Sequence, residues 1–425
     1  MGTTNFEMVP DAPTLSEIEH AYEVIQDAIH VTPMQHSRAF SAMTGANIHL
    51  KPENLQRAGS FKVRGATYKI SLLSAEERMQ GVIATSMGNH AQAVAIAAQS
   101  LGVPATIVMP KHAPLVKVMA TQGYGASVVL HGETFADAYA HARELQVETG
   151  ATFIHAFDDP RLIAGQGTLG LEILAQVPTV DTIIVPLGGG GLIAGITIAV
   201  KALRPEVQII GVQAKGADAV KRSLEAGKIV TLPTLKTIAD GISLNAPGEL
   251  PFAIMRSYLN QVVTVDDEEI MSAILLLQER CKLQVEAAGA VGIAALLHAG
   301  LLDVAGKEVV VVLSGGNLDM NQLGGFIERG LMVQGRIIIL RTLIADRPGE
   351  LRRLLTNIAD LDVNIRTLNY CPTMQSLPVQ DIEVTLTLDT RNHTHIEQLL
   401  AALQKQGYAV TRLQTALTGT NLRGG

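Results

Sequence analysis

The sequence predicts an α/β protein of two lobes, each a parallel sheet covered by helices, followed by a small βαββαβ domain. Three observations carry that prediction. Short apolar runs alternate with helix-length segments from Gly81 to Leu313, a rhythm that builds parallel sheet. Three loops rich in Gly, Ser and Asn stand at the C-terminal ends of expected strands, where open α/β sheets bind ligand. After about Gly330 the rhythm changes to strand, helix, two strands, helix, strand.

In chain order, Leu15 to Ile29 reads as a helix and Asn47 to Lys51 as extended. Strands are expected at Val82 to Thr85, Ala105 to Met109, Ser127 to Leu130 and Thr152 to His155. Between them fall helices at His90 to Leu101, after Pro114 and at Thr134 to Thr149. The pattern resumes with helix Leu162 to Gln176, strand Thr182 to Val185, helix Leu192 to Leu203 and strand Val207 to Val212. Strand Gln261 to Val265, helices Asp267 to Lys282 and Ala287 to His298, and strand Val309 to Leu313 complete it. The large region is placed at 1–330, its smaller lobe at about 55–155. In the tail, 331–425, strands are expected at Arg336 to Ile344, Asn364 to Tyr370, Asp381 to Leu388 and Tyr408 to Leu413. Helices at Leu351 to Leu361 and His395 to Gln406 separate them, and Gly324 to Gly335 is read as the linker.

Composition excludes several classes. A formal charge of −7 over 425 residues leaves no basic stripe to neutralise phosphates, so nucleic acid is not a partner. Cys281 and Cys371 are the two cysteines, too few for a disulfide framework, and a reducing cytoplasm fits. The N-terminus has no basic stretch leading into an apolar one, and Met1-Gly2 is followed at position 6 by Phe6 rather than the hydroxyl of a myristoylation signal. Thr182 to Val200 is uncharged but broken by Pro186 and five glycines, which reads as strand, loop and buried helix rather than a membrane span.

Gly188-Gly189-Gly190-Gly191-Leu192 follows a strand and opens a helix, where uncovered backbone N–H groups and the helix dipole make a phosphate site. A tight turn alone rarely needs four glycines. Gly189, Gly191 and Ala194 satisfy a loose dinucleotide pattern, but Gln213 stands where the ribose carboxylate belongs, and no lysine follows the glycines. A single phosphate, such as that of pyridoxal phosphate, is the simpler ligand. Ser86-Met87-Gly88-Asn89-His90 sits between strand and helix with Ser86 as expected N-cap, offering donors for a carboxylate. Ser314-Gly315-Gly316-Asn317 ends the last strand of the large region. Lys62, after Ser60-Phe61, is a candidate amine for a Schiff base.

The motifs SFKVRGA, SMGNHAQ, GGGGL and SGGN occur here in the order found in fold type II pyridoxal-phosphate enzymes, the tryptophan synthase beta-like group. Over about residues 10–330 the chain resembles the threonine ammonia-lyase (threonine dehydratase) family. That resemblance implies that Lys62 holds the cofactor as an imine and, once freed, removes the Cα proton. It implies that Phe61 packs near the ring, that Asn89 bonds the ring hydroxyl and that Ser314 meets the pyridine nitrogen. Gly188, Gly189, Gly190, Gly191 and Leu192 would cradle the phosphate, while Ser86, Asn89 and His90 with neighbouring N–H groups would take the substrate carboxylate. A neutral hydroxyl at Ser314 would make the ring a weak electron sink, which still suits β-elimination.

Other residues are ambiguous. Glu286 ahead of Ala287-Ala288-Gly289-Ala290 is equally a carboxylate at a helix start and an active-site group. Asp240-Gly241 reads equally as a turn and as a loop flanking the cofactor. His112, His131 and His155 show no metal spacing. Serine racemase shares the loops and is the nearest rival, but its reprotonating serine falls at Met87 here, and its cation-binding carboxylates at Gln213 and Ala219. Racemisation and that metal site are therefore not expected. The DRPGEL turn at Asp346 to Leu351 makes the tail resemble an ACT domain, an amino-acid-sensing module. The implied effector is isoleucine or valine, and the implied assembly a homodimer or homotetramer. Threonine against serine, one methyl apart, is set by pocket shape that no motif reports.

Overall fold

The computed structural model describes residues 9–371 and 381–413, so the Met1-Gly2 pattern lies outside the described residues. The chain separates into two compact units, Met1–Asp319 and Met320–Gly425. No described helix is long and apolar enough to cross a membrane.

The described residues of the first unit carry ten strands. They are β1 (Gln35–His36), β2 (Asn47–Pro52), β3 (Val82–Thr85), β4 (Ala105–Met109), β5 (Ser127–Leu130), β6 (Thr152–Phe153), β7 (Thr182–Pro186), β8 (Gln208–Ala214), β9 (Gln261–Val265) and β10 (Glu308–Leu313). The small lobe is the all-parallel sheet β5-β4-β3-β6. The large lobe is β1-β2-β10-β7-β8-β9, parallel except for β1. Both faces of such sheets are covered by helices, so β3, β7 and most of β10 are buried residue after residue. That is why these strands read as apolar runs rather than alternating patterns. The helix Ala287–Leu297 is almost wholly buried, which matches its lack of any polar face. Helices Lys62–Ser71 and Pro160–Gln176 approach so closely that a Cβ on Gly165 would lie 2.6 Å from the Gly65 Cα. Glycine at both positions is what lets them meet.

Several boundaries differ from expectation. The first helix ends at Ile25, and the helix expected through Lys282 stops at Leu276. A π-turn, Leu277–Cys281, follows it, and Lys282 adopts φ +60°. β6 ends at Phe153 because His155 turns back on itself, its Nδ1 accepting from the Asp158 N–H at 2.8 Å. The N-cap of the helix Asn89–Ser100 is Gly88, not Ser86. Ser86 Oγ instead accepts from the Gly88 N–H at 3.1 Å, closing a local turn. Helices Arg38–Thr44, Ala75–Gln80, Ala219–Ala226 and Glu249–Tyr258 had no sequence prediction.

The second unit holds β11 (Ile337–Ala345), β12 (Asn364–Cys371), β13 (Asp381–Asp389) and β14 (Thr411–Arg412) in the antiparallel order β12-β13-β11-β14. In β13, Ile382, Val384, Leu386 and Leu388 are buried and their neighbours are not. They share one core with Leu354 and Ile358 of the helix Glu350–Ala359 and with Leu399 and Leu403 of the helix His393–Lys405. The expected linker is mostly helix, Met320–Val333. The spacing of Leu323, Phe326, Ile327, Gly330 and Leu331 keeps the helix going through Gly324 and Gly325, at about 1 kcal/mol for each glycine.

Candidate active site

Three loops leave the C-terminal ends of β3, β7 and β10, and Lys62 begins a helix beside them. The main chain draws these pieces together. The Phe61 N–H donates to the Ser314 carbonyl at 3.1 Å, the Gly316 N–H to the Gly59 carbonyl at 2.9 Å, and Ser60 pairs with Gly315 as an isolated antiparallel bridge. The SFK and SGGN segments are thus one structural piece.

Lys62 Nζ donates to the Ala156 carbonyl at 2.7 Å and lies 5.2 Å from the Phe61 ring centroid. Burial pushes its ammonium down to about 8, with Glu286 pulling part of the way back. Phe157, the next residue after Ala156, explains the glycine loop. A Cβ on Gly189 would lie 2.5 Å from the Phe157 ring, and one on Gly191 2.7 Å from the Phe157 carbonyl. Gly190 has φ +100°. Protein packing therefore requires these glycines whatever the loop binds. The N–H groups from Gly188 to Leu192 find no acceptor among the described residues, and Gly189 to Leu192 are buried. Orphaned buried donors at a helix start are the chemistry of an anion site.

Asn89 lies at the far side. Its Nδ2 donates to Glu286 Oε1 at 2.7 Å, and its Oδ1 accepts from Asn317 Nδ2 at 2.8 Å. Burial pushes the Glu286 carboxyl up to about 7, against the Asn89 bond and the Lys117 charge. His90 Nε2 donates to the Ile154 carbonyl at 2.9 Å, leaving Nδ1 without a partner. Burial first, then the Lys62 charge, pushes this imidazole down to about 3, so it stays neutral. Ser60 Oγ and Thr85 Oγ1 are also buried without partners. Ser314 is buried at the end of β10, and Met87 packs against the small-lobe core.

The residues fit pyridoxal phosphate on these observations. A partly buried amine with a lowered pKa suits imine chemistry, five orphaned N–H groups suit a phosphate, and the buried Ser60 and Thr85 hydroxyls are left without partners. An α/β protein that brings a lysine of lowered pKa, through Ala156 and Phe157, to a glycine turn of orphaned donors suits the class of cofactor-dependent lyases and racemases.

Comparison with known proteins agrees. A family profile described as pyridoxal-phosphate dependent enzyme matches residues 25–315. An L-threonine ammonia-lyase of Thermotoga maritima is 45% identical over 397 residues, 93% of this chain and 98% of its own. Among solved structures, maize serine racemase superposes with a TM-score of 0.72 at 39% identity, over 76% of this chain and 98% of its own. A threonine deaminase of T.th. gives 0.69 at 44% identity, over 72% and 99%. The chain belongs to the pyridoxal-phosphate dependent enzyme family.

The structure brings Lys62, Phe61, Ser314, Asn89 and His90 into one neighbourhood with Glu286. Ala156, Phe157 and Asn317 received no role from sequence reasoning. Asn317 was within reach, as the last residue of a loop already singled out. Ala156 and Phe157 carried no signal, because a main-chain acceptor and a packing ring leave none in sequence.

Proposed function

We propose that the protein deaminates L-threonine, and L-serine, by losing the β-hydroxyl as water and then taking up water on hydrolysis, so that the net products are the corresponding 2-oxo acid and ammonia. The cofactor, when bound, supplies an electron sink for the bond broken at the amino acid's α-carbon. Lys62 carries it, and its Nζ, once free, accepts the Cα proton. An ammonium lowered to about 8 by burial makes that base accessible near neutral pH. Gly188 to Leu192 hold the phosphate through the orphaned N–H groups, Ser314 meets the ring nitrogen, and Asn89 meets the ring oxygen. Ser86 in the loop after β3, with the main-chain N–H groups of Asn89 and His90 at the helix start, takes the substrate carboxylate; the neutral His90 ring spends its N–H on the Ile154 carbonyl and adds no donor of its own. The β-hydroxyl leaves as water, and hydrolysis of the released product yields ammonia.

The observation that carries this reading is the meeting of Lys62 with the donor-rich glycine turn, through the consecutive residues Ala156 and Phe157. Serine racemisation is the second reading, supported by the likeness to maize serine racemase. Met87, which has no proton to give, favours elimination. Release of 2-oxo acid from each substrate, compared with D-serine formation from L-serine, decides: equal rates would remove the preference for elimination.

The tail supports regulation by isoleucine or valine in an ACT-like domain. Its strand order is that of a ferredoxin-like βαββαβ module, and Gly349, at φ +97°, opens the helix Glu350–Ala359. An alignment of 397 residues to the Thermotoga maritima relative is longer than the first unit, so it runs into this tail. A biosynthetic role follows if isoleucine lowers 2-oxo acid release, and a catabolic one if neither amino acid changes activity or thermal stability.

A further inference from the structure

Glu286 occupies the N-cap position of the helix Ala287–Leu297, yet its side chain makes no capping bond. The carboxylate is turned away from its own helix, toward Asn89 on the small lobe, whose Nδ2 donates to Oε1 at 2.7 Å. From the other side Asn317 Nδ2 donates to Asn89 Oδ1 at 2.8 Å while also holding the Ala58 carbonyl at 2.7 Å. A primary amide has two N–H groups and two lone pairs. These contacts use one of each and fix which end of the amide is nitrogen, since a flipped Asn89 would set oxygen against oxygen at Glu286. One N–H and one lone pair remain.

Space has been cleared for the carboxylate. A Cβ on Gly315 would lie 2.4 Å from Glu286 Oε1, and one on Gly241 3.4 Å from it. The Glu286 N–H donates to the Gly315 carbonyl at 3.1 Å, which fixes the main chain from which the side chain starts. Glycine at 315 is therefore set by Glu286 as much as by any ligand.

We propose that Glu286 is a positioning residue, which locks the Asn89 amide so that its one remaining N–H is offered to the oxygen on the bound cofactor's ring. This rests on the reading that Lys62 carries pyridoxal phosphate. The charged groups facing Glu286 are Lys117 from the helix Leu115–Gly123, Asp240 from the turn Asp240–Ile242, and Lys62. Its carboxyl changes charge near pH 7, so the environment of Asn89 changes there too.

The test uses purified holoenzyme, the dissociation constant of pyridoxal phosphate from equilibrium dialysis, and the visible absorbance of the bound cofactor across neutral pH. Glu286→Ala should bind the cofactor about tenfold more weakly, the effect of one hydrogen bond to a charged group, with a displaced absorbance maximum. Glu286→Gln keeps an acceptor for Asn89 and should hold affinity within about twofold. The wild type should show an absorbance change around pH 7 as the Glu286 carboxyl loses its proton, and Glu286→Gln should lose it. Gly315→Ala, whose Cβ would lie 2.4 Å from Glu286 Oε1 and 3.0 Å from Asn89 Nδ2, disturbs the same hydrogen bond from the other side and should reproduce the Glu286→Ala spectrum, which keeps the test alive if Glu286→Ala does not fold. Wild-type affinity and spectrum in both Glu286→Ala and Gly315→Ala would overturn the proposal, as would a Glu286→Gln as impaired as Glu286→Ala. If borohydride fails to label Lys62 in the wild type, the cofactor reading itself falls. Labelled Lys62 with an unaffected Glu286→Ala removes only the positioning role.

Discussion

Lys62 and Arg64 stand two residues apart on one helix, and their surroundings treat them in opposite ways. Arg64 is fully buried and saturated: Nε bonds Glu53 at 2.7 Å, Nη1 bonds Glu172 at 2.6 Å and Thr168 at 3.2 Å, and Nη2 bonds both carboxylates. Lys51 completes the group, 2.6 Å from Glu172 and 2.7 Å from the Thr32 carbonyl. Two cations and two anions balance inside the protein. Burial alone would lower the Arg64 pKa and raise that of Glu53, but their pairing wins, so both remain charged. Lys62 has one carbonyl and a more distant carboxylate, and for it burial wins. The same helix therefore carries a locked charge that orients it and an unsatisfied amine free to do chemistry.

The sharpest way to break this contrast is to remove each cation. Lys62→Ala should lower 2-oxo acid release by about a thousandfold or more, since it deletes both the cofactor attachment and the base. Its urea unfolding midpoint should not fall, because no network collapses with it. Arg64→Met should do the reverse in kind, destabilising the fold by about 3–5 kcal/mol in urea unfolding, because Glu53 and Glu172 are left buried without a partner. If Arg64→Met unfolds like the wild type, the ion group is not what anchors the helix.

Legibility in sequence follows the same division. Lys62 and the three loops could be read because β3, β7 and β10 are buried on both faces and end in turns whose Gly, Ser and Asn stand out against apolar runs. The Arg64 group could not be read: Arg64 lies inside a motif already noticed, but its partners are 11 and 108 positions away. Glu286 stayed ambiguous for a related reason. A carboxylate before Ala287-Ala288-Gly289 satisfies a helix start, and only the fold reveals a bond to Asn89, 197 positions distant. The glycine loop was legible as a site but not as a packing surface, because Phe157 sits beyond a strand end set by a local turn.

Lys62 and Glu286 also predict a pH signature. Glu286 titrates near 7 when folded against 4.5 as its ordinary value, so between these limits the folded state holds more protons, and stability falls as pH rises. Lys62 titrates near 8 against 10.5, so between those limits the unfolded state holds more protons, and stability rises with pH. Together they place a shallow minimum of stability at about pH 7–8 in cofactor-free protein, where both groups are charged. Urea midpoints measured from about pH 6.5 to 10, above the range in which the neutral buried His90 adds its own slope, check this, and the double substitution Lys62→Met with Glu286→Gln should flatten the curve there. A minimum unchanged by that double substitution would assign it elsewhere.

The smallest effect concerns how the chain reaches Glu286. The helix Asp267–Leu276 runs into the π-turn Leu277–Cys281, and the chain then reverses at Lys282, exposed and at φ +60°, ψ +28°. That conformation costs a side-chain-bearing residue about 1 kcal/mol that glycine does not incur. Lys282 Nζ returns a bond to the Glu279 carbonyl, but on the exposed surface this offsets little of the strain. Lys282→Gly should therefore raise stability by about 0.5 kcal/mol, after allowance for glycine's greater freedom when unfolded. It should leave the cofactor absorbance unchanged, because the Gln284 carbonyl is held independently by Asn54 Nδ2 at 3.0 Å and the Glu286 N–H by Gly315. A displaced absorbance in Lys282→Gly would mean that the strained turn itself aims Glu286, extending the unrelaxed character of the cleft from side chains into backbone.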